Sequence, residues 1–148
     1  MLGTHFELFN HGLPSEMMSS LPKGFYPKRK VIQTIEYDSN FFAERPRVFK
    51  VLLSDPKSGQ LSEVFENLPP KFNRQKGCYT LNFFGRVAKA SARNFQLVPL
   101  DCTDSDDLVL SHGKQQPNLF NLDFRAPFCQ LFAFAVSLSA IGKKRVVG

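Results

Sequence analysis

The chain has no tryptophan, only three cysteines, and no apolar run long enough to cross a bilayer. Each shortage excludes a class of protein. Cys78, Cys102 and Cys129 form no Cys-x-x-Cys pair, so neither a zinc site nor a disulfide framework is indicated. An odd, scattered set fits a reduced chain in the cytoplasm or nucleus. The N-terminal MLGTHFELFNHG lacks a basic lead and a sustained apolar core, which argues against a signal peptide. Leu2 stands where the myristoylation pattern needs glycine. Glycosylation sequons, P-loops, G-x-S-x-G motifs and paired carboxylates are also missing, so a non-enzyme without cofactor is expected. Asp101, Asp104, Asp106 and Asp107 lack the glycine and the closing glutamate of a calcium loop and read as a solvated turn. His5, His11 and His112 carry no ligand spacing, and no metal site is expected.

What the chain does have is phenylalanine, sixteen of 148 residues, together with a net charge of +6 and a pI near 9.4. Abundant benzyl rings suit a β-rich core. The positive charge favours acidic partners, nucleic acid or an anionic membrane surface. The length suits a single domain. Alternation gives a strand from Thr4 to Phe9, a second placing Val31, Ile35 and Tyr37 on one face, and a third over Arg47–Leu53. Residues 13–30 are loop-like, and residues 60–77 read as a mixed segment broken by Pro69-Pro70. Cys78–Phe84, Asn94–Val98, Leu108–Leu110 and residues 118–124 complete the strands.

The strands lead into PFCQLFAFAVSLSAI, residues 127–141. Pro127 suits the first helical position, Gly142 a left-handed cap, and Lys143, Lys144 and Arg145 the negative end of the helix dipole. At roughly 15 residues the helix falls short of the about 20 that span a bilayer. Being apolar almost all round, it needs protein on nearly every side. A closed or nearly closed antiparallel barrel around the helix meets that need.

Four segments then resemble one family. NFFGRVAKASARNFQLV (82–98) is similar to the tubby signature N-F-x-G-R-V-x-x-A-S-x-K-N-F-Q, and AFAVSLSAI (133–141) to the core of that family's central helix. LGTHFELFNHG (2–12) and EYDSNFFAERPRVFKVLL (36–53) resemble two further family segments, in the expected order. The chain is thus identified as a partial tubby C-terminal domain: strands over 1–126, central helix 127–141, tail 142–148. The resemblance implies a mainly β, α+β fold, an antiparallel barrel around a hydrophobic C-terminal helix. Family strands preceding the Gly-Thr segment have no counterpart here, so the barrel is expected to be incomplete, exposing an edge and part of the helix.

The resemblance also implies a function. Tubby domains bind phosphoinositides doubly phosphorylated on the inositol ring, and the family helps carry receptors into cilia. The expected partners are therefore phosphatidylinositol bisphosphate in anionic membranes and ciliary membrane receptors, with nucleic acid as the alternative. The expected state is a monomer, cytoplasmic and peripheral at the plasma or ciliary membrane, or nuclear on the alternative. The family's lipid-gripping Lys-x-Arg pair, its ciliary-transport segment and its terminal K-x-A-C-E have no match, but its following Arg falls on Arg29 when counted back from Asn40. Lys28, Arg29 and Lys30 form the best anion site in the chain, because arginine grips phosphate bidentately and lysine adds point charges. A second basic patch would draw on Arg45, Arg47, Arg86, Lys89 and Arg93. Against that, Gly85 and the small residues around it would permit a tight turn in which Arg86 or Arg93 bonds loop carbonyls. Arg45, Arg47 and Lys50 would then merely blunt a sheet surface.

Overall fold

A computed structural model of the chain describes residues 5–22, 24, 27–38 and 48–142. Among them, β1 (His5–Phe9), a single turn α1 (Ser15–Met18), β2 (Val31–Tyr37), β3 (Phe49–Ser54) and β4 (Leu61–Asn67) come first. A small hairpin of β5 (Lys71–Asn73) and β6 (Cys78–Thr80) follows, then β7 (Phe95–Pro99), β8 (Leu110–Gln116), β9 (Leu119–Phe124) and helix α2 (Gln130–Ile141). Seven strands form one antiparallel sheet in the order β1-β2-β3-β4-β7-β8-β9. It curls into a half-barrel with α2 in its concavity, and β1 and β9 are its edges. The incomplete barrel is observed. Full closure is not.

Alternation explains the inner face. Phe49, Val51 and Leu53 of β3 point inward and are buried, while Lys50 points out and lies in register between Glu36 and Glu66. Tyr37 stacks on Phe49 at 4.7 Å between ring centroids, and Phe95 meets Phe49 edge-on at 4.9 Å. Fully burying each such ring contributes about 1.5–3 kcal/mol. Strand β4 lies where the sequence suggested a mixed segment. Only Phe65 within it is buried, so its place comes from backbone pairing to β3 and β7 rather than from a periodic pattern. β8 is also longer than the expected Leu108–Leu110. The expected strand Cys78–Phe84 stops at Thr80, and Tyr79 faces solvent rather than the core.

The helix begins at Gln130 rather than Pro127, because the Phe128 N–H turns back to the Arg125 carbonyl and Cys129 takes the N-cap position. Gly142 ends it with φ −50°, not in the left-handed conformation, while its N–H still reaches the Leu138 carbonyl. Lys143, Lys144 and Arg145 lie outside the described residues. The face turned to the sheet is built of small residues, Ala133, Val136, Ser137 and Ala140, which let the backbone approach closely. Leu131, Phe134 and Leu138 remain 53%, 56% and 52% exposed on the other side. No described helix is long and apolar enough to cross a membrane.

Candidate functional site

The basic run at Lys28–Lys30 leads into β2 and is held by the turn that follows β1. Asn10 clamps Lys30 from both sides: its side-chain oxygen accepts from the Lys30 N–H at 2.7 Å, and its own N–H donates to the Lys30 carbonyl at 2.9 Å. The Arg29 N–H donates to the Leu13 carbonyl at 3.0 Å, and the Leu13 N–H to that of Pro27 at 2.9 Å. Gly12 makes this close approach possible, since a Cβ there would stand 2.4 Å from the Arg29 backbone. The backbone of the run is thereby fixed.

The side chains divide their work. The Arg29 guanidinium lies over the Phe9 ring, 4.1 Å from its centroid, and the residue is half-buried. Stacking of this kind restrains the planar fork while leaving its N–H edge available for a phosphate. The Lys30 ammonium donates to the Lys57 carbonyl at 2.6 Å, so one of its donors is engaged. Lys28 is exposed, and its ammonium has no partner among the described residues. In sequence the Arg29 fork stands between two lysines, residue types suited to a phosphate group.

The second expected patch is not one surface. Arg45 and Arg47 lie outside the described residues. Arg86 is engaged by Asp123 through two bonds of 2.9 Å, a pairing that holds its pKa above the ordinary arginine value. Its carbonyl accepts from Asn121 and Gln115, which fastens the 84–94 loop to β8 and β9. Lys89 is tied by its backbone, to Lys114 of β8 and to the Asn94 side chain. The Arg93 carbonyl accepts from His112, but its guanidinium has no partner among the described residues. These three residues belong to a loop against β8 and β9, whereas Lys28–Lys30 sits on the β1–β2 side of the sheet.

A buried polar set escaped the sequence reading. His112 is fully enclosed between the rings of Phe95 and Phe120, at 5.0 and 4.8 Å. A carbonyl only accepts, so the 2.8 Å contact with the Arg93 oxygen makes Nδ1 the protonated nitrogen. Nε2 then accepts from Ser137 of α2 at 2.9 Å. Burial pushes the His112 pKa down and keeps the ring neutral. A serine beside a histidine resembles an activated nucleophile, yet both groups are sealed from solvent. The pair fastens the helix. Tyr37 does the same through Ser139 at 3.0 Å, and the Gln33 amide donates to the Phe132 carbonyl at 3.1 Å.

Comparison with known proteins agrees with this architecture. The Tub family model matches residues 53–143, more than half of the chain. The mouse Tubby-related protein 2 is 34% identical over 169 aligned positions, covering 97% of this chain and 30% of the relative. The human Tubby-related protein 1 is 49% identical over 78 residues, 53% of this chain and 14% of that protein. Protein king tubby 2 of Aedes aegypti is 41% identical over 95 residues, 63% of this chain and 23% of that protein. The chain thus spans less than a third of the length of these relatives. With the half-barrel, the helix in its concavity and these matches in agreement, the chain belongs to the Tub family.

Proposed function

We propose that the chain is a non-catalytic, tubby-like membrane adaptor that binds a bisphosphorylated phosphoinositide and serves ciliary receptor traffic. The observation that carries this reading is Arg29, whose fork is held over Phe9 and which stands between Lys28 and Lys30 in sequence. Family membership supports it, since lipid binding is what the tubby resemblance implies. Ring phosphates carry about 1.5–2 negative charges each near neutral pH, which suits this cationic cradle. Attachment through charge makes the protein peripheral at the cytoplasmic face of the plasma or ciliary membrane, reversible and sensitive to salt.

The test is co-sedimentation with vesicles. One set carries a bisphosphorylated phosphoinositide, the other phosphatidylserine at matched charge. A charge-assisted hydrogen bond contributes about 1.5–3 kcal/mol, so Arg29→Ala should cost tenfold or more in affinity for the first set. Arg29→Lys should recover only part, because charge returns without the fork. Equal binding to both vesicle sets would overturn the proposal. Steeply salt-dependent binding to any DNA duplex, without headgroup preference, would instead favour the nucleic-acid alternative.

A further inference from the structure

At the far end of β2 from the basic run, a cavity of about 300 Å³ opens between the sheet and the 81–94 loop. Phe49, Leu68, Phe83, Phe95 and Ala140 supply much of its wall. Its size falls at the lower end of small-molecule sites. An apolar cavity of even half this volume attracts apolar guests, because water finds too few partners inside it.

The polar groups of the lining are already engaged, with one exception. Asn67 accepts from the Phe49 N–H, and Asn94 bonds the Lys89 carbonyl and the Lys114 N–H. Tyr37 is joined to Ser139, and the Ser91 hydroxyl accepts from the Arg93 N–H. Only the Arg93 guanidinium lacks a partner among the described residues, and Arg93 is the single charged residue among the described ones that line the cavity. No carboxylate accompanies it among the described residues.

We infer that this cavity is a binding site for a small amphiphilic monoanion, a free carboxylate on an unbranched apolar tail, with Arg93 receiving the carboxylate. The tail lies along the apolar wall to which Phe49, Phe83 and Phe95 contribute, and the head meets Arg93. A neutral head would leave Arg93 unanswered, and a cationic head would be repelled. The site is separate from Lys28–Lys30 and does not depend on how that run is read.

The experiment is calorimetric titration of the folded chain with decanoate, below its micellar range, alongside decanol and decyltrimethylammonium. The expected result is saturable uptake of one decanoate per chain, with decanol about tenfold weaker and the cation weaker still. Arg93→Gln should weaken decanoate about tenfold while leaving decanol unchanged. Ala90→Trp, on the exposed loop wall, should exclude both. Phe134→Ser, on the exposed face of α2, should change neither, which separates the cavity from unspecific adsorption to that face. Absence of uptake, equal affinity for decanoate and decanol, or loss of uptake in Phe134→Ser would each overturn the assignment. Circular dichroism confirms that every variant compared is folded.

Discussion

The Ser137 hydroxyl donates to Nε2 of His112 across 2.9 Å, joining α2 to the middle of β8 inside an aromatic stack. This geometry requires neutral imidazole, and burial lowers the folded-state pKa below the ordinary value of 6.5. The unfolded chain therefore takes up the proton first. Stability from this site is intact above pH 6.5 and falls as pH drops below it toward the folded-state value. The limiting slope is about 1.4 kcal/mol per pH unit. Urea unfolding of the parent and His112→Gln between pH 5 and 8 checks this: the parent should lose stability on acidification, and the variant should lose this component of the pH dependence.

Gln33 presents the opposite case. Its amide N–H₂ reaches Phe132, but its side-chain oxygen is buried with no hydrogen-bond partner among the described residues. An unsatisfied acceptor costs about 1–3 kcal/mol, comparable to what the surviving bond returns. Gln33→Met should therefore leave the unfolding midpoint unchanged or raise it. Gln33→Glu, which buries a charge, should lower it sharply.

Gly113 lies at a close approach of β8 to the 84–94 loop. A Cβ there would stand 2.4 Å from a Val87 methyl carbon and 2.9 Å from the Arg86 carbonyl oxygen. Its backbone is not left-handed, so the cost of Gly113→Ala is steric. Denaturant unfolding should show a loss of about 1–3 kcal/mol, typical of overpacking. Val87→Ala in the same chain should recover part of it.

The outward face of α2 is a row of half-exposed apolar side chains. Phe134→Ser with Leu138→Ser should raise the solubility of the chain and reduce binding of an apolar dye. Because these side chains make few buried contacts, the unfolding midpoint should move little. A marked loss of stability would mean the row is packed.

The elements most legible in the sequence were those whose two faces differ in polarity. β3 could be read from Phe49, Val51 and Leu53 because Lys50 and Ser54 mark the other side. β4 could not, since Leu61, Ser62 and Glu63 are all exposed and the strand owes its place to neighbours distant in sequence. β8 was hidden for another reason: Ser-His-Gly-Lys-Gln-Gln looks like a loop, and only the partners of His112 turn a polar residue into core. The helix was evident, but which face it buries was not. Nearly every position is apolar, so the choice falls to the small residues that fit the concavity. For the anion site, the run Lys28–Lys30 was visible, whereas its clamp by Asn10, Gly12 and Leu13 depends on a return of the chain that no local pattern announces.

The order of elements along the chain also bears on how the protein is made. Every described strand precedes α2, so Phe49, Phe65 and Phe95 leave the ribosome before the helix that packs against them. At a synthesis rate of about 5–20 residues per second, the nascent sheet waits several seconds with a greasy concave side uncovered. Through that interval chaperones have a ready grip. A nonsense codon between β9 and α2 would therefore leave a sheet without the helix that fills its concavity.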